Sequence, residues 1–427
     1  MMHSQYDAII IGAGPAGSSA AILLARAGWS VVLVEKQRFP RRKVCGECIA
    51  ASNLLLLEDL GLKPVFDARA GPELRRVALM RGDQEVVADL PPTTDEKSRW
   101  GRALGRETLD TLLLDQARAV GAYVLQPWAA QTIEGGAGAW RCTLRALDSG
   151  TTLTLRAAVV IDAHGSWEAL PSARPQQTRA RRDSNLFAFK ANYRCTSLPQ
   201  GLLPVLAFNG GYGGMVVADG GVTTLACCIR RDRLDTCRAA APGLRAGEVI
   251  EAMLKRECGG VRTALQGAVR DGSWLASGPL DPGIRLSASD EIFRIGNAAG
   301  EAHPIIGEGM SMALQSAWLL CAHLLGSDRP EAKSDCAWQR RIADQYAREW
   351  RRQFTPRLRV AAAFAHLAMR PASAMLLMTL ARAWPELLTL GAAWGGKTRS
   401  AADPALIATL TTRELSRAIS PFTAPLF

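Results

Sequence analysis

The segment Gly12-Ala13-Gly14-Pro15-Ala16-Gly17 follows an apolar run at 8–11 and opens an alanine-rich stretch at 18–27. Glu35 closes the next apolar run, Val31–Val34. Strand, glycine turn, helix and second strand make one βαβ unit, and few folds accommodate that order of residues. Gly12 permits the tight turn, Gly14 lets backbone approach a pyrophosphate, and Gly17 lets helix pack closely on strand. The helix N-terminus then turns unpaired N–H groups and the positive end of its dipole towards phosphate. Glu35 lies eighteen positions beyond Gly17, the spacing of a carboxylate that bonds a ribose hydroxyl. A dinucleotide site is therefore expected, with Gly12, Gly14, Ala16, Gly17, Glu35 and the adjacent Lys36 as its contacts.

A chain of 427 residues, 48% of them hydrophobic, suffices for a large core in two or three domains. Residues 1–7 carry no basic stretch followed by an apolar segment and cleavage site, so a cytoplasmic protein is expected. Ten cysteines read as reduced thiols, because a chain of this length does not depend on a disulfide framework. Cys45 and Cys48 form a C-x-x-C, but no second pair completes a zinc-type set and no metal is expected. The net charge of +11 is concentrated near the end: residues 331–427 hold fourteen Lys or Arg against seven Asp or Glu. Such a surface suits solvated arginine, anionic lipid or an acidic carrier, and no nucleic-acid motif accompanies it.

Along the chain, 52–62 reads as a helix stopped by Gly61, 75–90 alternates like strands, and 108–120 is a second helix stopped by Gly121. Strands are expected across 140–161, and strand-like runs continue from 185 to 230 around Gly210, Gly211, Gly213 and Gly214. A short strand at 292–295 precedes a glycine-bearing loop and a helix over Gly309–Leu325. The expected organisation is a discontinuous α/β Rossmann-type domain at 1–75, 100–180 and 280–328. A mostly antiparallel β-rich substrate domain at 76–99 and 181–279 is inserted in it, and a helical region follows at 329–427. In that last region Trp338, Ile342, Tyr346, Trp350 and Phe354 recur at every fourth position, an apolar face for packing on the body. The apolar stretch 371–390 is interrupted by Arg382, Pro385 and Glu386, short of the ~20 residues that span a bilayer; a peripheral membrane contact stays open.

Four motifs together resemble the single-Rossmann FAD-dependent family of para-hydroxybenzoate hydroxylase, geranylgeranyl reductases and flavin-dependent halogenases, over residues 6–325. They are the glycine turn with Glu35, Lys43-Val44-Cys45-Gly46-Glu47, Arg106 with Leu109-Asp110, and Gly296-Asn297-Ala298-Ala299-Gly300 followed by His303-Pro304-Ile305-Ile306-Gly307-Glu308-Gly309-Met310. The resemblance implies that FAD is the cofactor, with Arg106 on its phosphates, Gly296 and Asn297 near the ribityl chain, and Gly307, Gly309 and Met310 at the isoalloxazine. Asn297 stands where the family usually has aspartate and retains a hydrogen bond to offer. A helix N-terminus near Gly309 would favour the negative charge that flavin gains on reduction. Asp162-Ala163-His164-Gly165-Ser166 resembles a further family element, with His164 in place of the common aspartate.

Three chemistries share this architecture. The expectation is an FAD-dependent monooxygenase that acts through a flavin C4a-hydroperoxide on a small aromatic or lipophilic intermediate, free or carrier- or protein-bound. NAD(P)H or a partner reductase would supply electrons. A geranylgeranyl-reductase-like reduction of an isolated C=C bond is the alternative, and a halogenase ranks below both because W-x-W-x-I is absent. Glu47, His303 and Glu308 are the candidate catalytic groups at the flavin edge, with loop capping or orientation as their structural role. A redox dithiol at Cys45 and Cys48 would call for a second nicotinamide-binding unit, and no second G-x-G-x-x-G follows a strand. A flavoprotein acting on a protein, docked through the basic C-terminal helices, is the third reading. Substrate and oligomeric state have no signature in the sequence.

Overall fold

The structure is a computed structural model that describes residues 5–95, 98–166, 170, 182, 184–287, 291–326 and 333–394. Gln5–Ile11 is almost wholly apolar and buried, as a strand covered on both faces must be. It pairs in parallel with Val31–Val34 on one side and Thr152–Asp162 on the other. Tyr123–Leu125 and Phe293–Arg294 extend this parallel core, and Trp140–Ala146 and Trp128–Glu134 continue the sheet antiparallel. The helices Pro15–Arg26, Arg106–Ala119 and Gly309–Leu325 pack together on one face of it.

A second seven-stranded sheet is made from distant pieces of chain. Its order is Val269–Ser277, Leu186–Arg194, Thr223–Arg230, Gly211–Val217, Leu202–Phe208, Arg76–Arg81 and Gln84–Asp89. All neighbours are antiparallel except Leu202–Phe208 with Arg76–Arg81. Side chains alternate across a strand, so the sheet has two distinct faces. Met215, Leu225, Cys227 and Ile229 bury one face under the helices Arg231–Ala239, Ala246–Glu257 and Gly259–Ala264. These three helices interrupt a region that reads as β-rich by composition. Their signal was the helical spacing of Val249, Ile250, Met253 and Leu254, all buried. The opposite face, with Val77, Leu79, Tyr212 and Val216, turns towards the first sheet and the C-terminal helices.

The helix expected at 52–62 is a 3-10 turn Ala51–Asn53, a short helix Leu54–Asp59 and, beyond the left-handed Gly61, a separate helix Lys63–Arg69. Cys336–Met369 runs for 34 residues and joins the two bodies. Trp338, Ile342, Tyr346, Trp350 and Phe354 lie in the core of the first, whereas Ala365, Ala368 and Met369 pack on the second sheet. Asp335 caps its start by accepting the N–H groups of Ala337 and Trp338. The chain then turns into Pro371–Ala383 and Glu386–Trp394. No single helix among the described residues is long and apolar enough to cross a membrane.

Candidate active site

One cavity of about 320 Å³ runs from the glycine turn, between the two sheets, to the C-terminal helices. Its near end is built from backbone. Gly12 has φ +103°, and a Cβ there would lie 2.5 Å from the Ala163 carbonyl oxygen; one on Gly17 would strike the Gly12 carbonyl oxygen at 1.8 Å. Both positions are closed by packing. A Cβ on Gly14 would meet only Arg106 Nη2, 3.7 Å away, and one on Gly309 would meet nothing within 4 Å. These two glycines keep space open rather than relieve a contact, which is the geometry of a cradle. Each stands at a helix N-terminus, before Pro15–Arg26 and opening Gly309–Leu325, and neither helix has a side-chain cap. Their first-turn amides are free for anionic groups.

Around the turn the charges are three cations to two anions. Arg106 Nε and Nη2 donate to the two carboxylate oxygens of Asp110, 2.7 Å each, and Arg41 lies 3.6 Å from Asp110 and 4.0 Å from Glu35. Lys43 lines the cavity and forms no hydrogen bond or ion pair among the described residues. Desolvation, then Arg106 and Arg41, hold its ammonium down to about 8. A pyrophosphate would complete this set. Glu35, buried, accepts the N–H groups of Ala13 and Gln37, 2.9 Å each, and so holds the turn as well as the end of its strand. Burial lowers the Lys36 ammonium, ahead of the opposing effect of Glu35. Asn297 Nδ2 donates to Ser166 Oγ at 2.6 Å, and Gly296, Gly307, Gly309 and Met310 line the same cavity. The cofactor residues read from the motifs at Gly14, Ala16, Arg106, Gly296, Asn297, Gly307, Gly309 and Met310 thus converge on one wall, with Gly12, Gly17 and Glu35 shaping it from behind.

The three candidate catalytic residues do not share a place. Glu47 lines the cavity with φ +58°, in the left-handed region, and both of its oxygens are engaged. Oε1 accepts the Arg106 N–H at 2.8 Å and pairs with Lys190 Nζ, while Oε2 accepts the Thr224 hydroxyl. His303 sits behind the lining, with Nδ1 3.2 Å from the Tyr212 hydroxyl and its ring 5.6 Å from that of His366. Burial, then His366, push its pKa down to about 4, so the imidazole is neutral. Glu308 is fully buried and turned from the cavity towards Arg357, 3.7 Å away. Arg357 donates to Gln315, Gln315 to Asn53 and Asn53 to Ser311, a polar chain tying the long C-terminal helix to Gly309–Leu325. Sequence reasoning missed Tyr212 and Lys190. Both lie in strands, where alternation marks the face but not what lies opposite.

Cys45 accepts the Glu47 N–H at 3.4 Å, and Cys48 packs among Leu74, Val77 and Val216; neither is in a disulfide. His164 Nδ1 contacts the Asp162 carboxylate, an orientation at the end of the parallel strand. Away from the polar corner the cavity wall is largely apolar, with Phe189, Tyr212 and Phe364 among its aliphatic side chains. Val77, Leu79, Leu203 and Val205 come from the second sheet, Leu377 and Leu388 from the C-terminal helices.

A Rossmann-type sheet with an open glycine cradle, two uncapped helix N-termini and a surplus of cations defines an FAD-dependent oxidoreductase, and the residues present fit that cofactor. The FAD binding domain family matches residues 5–202, and the protein is an FAD-dependent oxidoreductase. It is 27% identical to menaquinone reductase of Mycolicibacterium smegmatis over 81% of this chain and 82% of the relative. Digeranylgeranylglycerophospholipid reductase of Methanocaldococcus jannaschii is 24% identical over 82% of this chain and 83% of its own. Conditioned medium factor receptor 1 of Dictyostelium discoideum is 26% identical over 76% of this chain, which spans 64% of that longer protein. The solved flavin-dependent brominase Bmp2 shares the fold, with TM-score 0.71 and 17% identity over 97% of this chain and all of the other.

Proposed function

We propose that the protein uses FAD to reduce a carbon–carbon double bond in a lipophilic substrate, with NAD(P)H or a separate reductase as electron source. The observation that carries this reading is the cluster of aliphatic side chains in the cavity wall, Val77, Leu79, Leu203, Val205, Leu377 and Leu388. Burial of apolar surface contributes about 25 cal/mol per Å², so such a wall selects a substrate by its hydrocarbon body. Two relatives that match most of the chain bear the names menaquinone reductase and digeranylgeranylglycerophospholipid reductase.

FAD supplies the two-electron chemistry when bound. Gly14, Arg106 and Lys43 would hold its phosphates, with Arg41 adding positive charge behind them, and the amides at the start of Gly309–Leu325 would favour negative charge on its ring. The apolar wall orients the substrate and excludes water, while the Tyr212 hydroxyl, backed by neutral His303, is one of the proton-bearing groups of the lining, with Lys43 and Ser166.

A second reading, the hydroxylation of an aromatic or lipophilic intermediate, is favoured by the aromatic side chains of Phe189, Tyr212 and Phe364 in the lining. Product mass separates the two. Incubating the FAD-loaded protein with NAD(P)H and a panel of prenylated and aromatic lipophiles, with and without oxygen, should give products heavier by two hydrogens in the absence of oxygen. Products that gain one oxygen atom, and only aerobically, would establish the hydroxylase instead.

A further inference from the structure

We infer that the helices Pro371–Ala383 and Glu386–Trp394 seat on an anionic lipid bilayer. Their outward side is a stripe of large apolar groups: Met375, Leu376, Trp384 and Trp394 are 57%, 60%, 58% and 61% exposed, and Leu380 and Leu390 are exposed between them. Side chains three or four apart fall on one helix face: Leu376 and Leu380 share a face of the first helix, Leu390 and Trp394 a face of the second, and Trp384 lies at the break between them. A contiguous apolar strip on an otherwise packed protein marks an interaction surface.

The helices are not loosely attached. Ala374, Met378 and Ala381 are buried against the second sheet, and Leu377, Leu387 and Leu388 form part of the cavity wall. Each helix thus presents one apolar side to the cavity and another to the outside. The charge around the strip names the occupant: between 359 and 394 the basic residues Arg359, Arg370 and Arg382 face a single acidic residue, Glu386. All three arginines are exposed. Exposed cations beside apolar and tryptophan side chains suit the headgroup region of an anionic leaflet. Cys336–Met369 and Pro371–Ala383 meet at a bend of 106°, so the second helix lies across the first.

This surface would bring a lipophilic substrate beside its cavity, and to that extent it rests on the function proposed above. Membrane binding is measured without substrate, so failure of either leaves the other standing. The test is co-sedimentation of the full-length, FAD-loaded protein with vesicles of phosphatidylcholine alone or mixed with phosphatidylglycerol. Wild type should pellet with the mixed vesicles, and about tenfold less with phosphatidylcholine alone. Leu376→Glu with Trp384→Glu should leave the protein in the supernatant while flavin absorbance and circular dichroism stay unchanged. Arg370→Glu with Arg382→Glu should remove the preference for anionic lipid. Wild type that pellets with neither vesicle, or an apolar-face variant that pellets like wild type, would overturn the inference. So would light scattering that shows a dimer dissociated by the same variant, which would make the strip an interface between copies of this chain.

Discussion

Lys190 and Glu47 form an ion pair in which both side chains are 2% exposed. Lys190 belongs to the second sheet and Glu47 to the loop beside the flavin seat, so the pair fastens the substrate wall to the cofactor wall. The Thr224 hydroxyl and the Arg106 N–H satisfy the remaining capacity of the carboxylate. Removing one partner leaves a buried charge uncompensated, which costs about 3–5 kcal/mol. Glu47→Ala should lose stability of that order in urea unfolding, and Lys190→Met with Glu47→Leu should recover a substantial part. A double variant no more stable than Glu47→Ala would argue against the pair as the fastening.

Gly14 and Gly17 stand in one turn but should fail differently when enlarged. Gly14→Val places methyl groups in the open cradle beside Arg106, so the protein should fold and purify colourless. Gly17→Val drives a side chain into the Gly12 carbonyl and should unfold the first βαβ unit. Flavin absorbance and circular dichroism separate the two outcomes, and a Gly14→Val protein fully loaded with FAD would refute the cradle.

Lys43 has its ammonium depressed to about 8 because burial, then Arg106 and Arg41, outweigh Asp110 and Glu35. Pyrophosphate beside it would raise that value, so the FAD complex holds a proton that the free protein releases above about pH 8. FAD affinity should therefore fall as pH rises through 8 towards the ordinary lysine range, and Lys43→Met should flatten the dependence. Titration of the apoprotein with FAD from pH 7 to 10 measures it.

His303 is buried neutral, with its pKa lowered from 6.5 to about 4. A group depressed on folding stabilises the native state above its unfolded value, and that stability is lost as pH falls from 6.5 towards 4. The shift corresponds to about 3 kcal/mol across the window. His303→Gln should make the urea midpoint less sensitive to pH between 6.5 and 4, whereas an unchanged slope would place the titration elsewhere.

Much of this arrangement was legible because it is local. The turn at 12–17, the stop at Gly121 and the helix Gly309–Leu325 depend on backbone conformation and spacing within a few residues. The every-fourth-residue row from Trp338 to Phe354 showed its buried face for the same reason. The three helices over the second sheet were hidden by strands on either side whose composition dominates the region. Glu308 was harder still. Its position next to Gly309 suggests the flavin edge, but the helix start turns its carboxylate towards Arg357, 49 positions later.

The sequence by itself determined a dinucleotide site, since the pyrophosphate cradle is a property of consecutive residues whose turn, helix dipole and acidic terminus act within one βαβ unit, and the motifs at 43–47, 106–110 and 296–310 narrowed it to FAD by resemblance. Only the tertiary structure decided what faces the flavin. Strands at 76–81, 186–194, 202–208 and 211–230 meet there with helices at 371–394, and which alternate side chains line the cavity depends on pairing between segments up to 300 residues apart. Alternation specifies two faces for each strand, but only packing selects the one that becomes the wall.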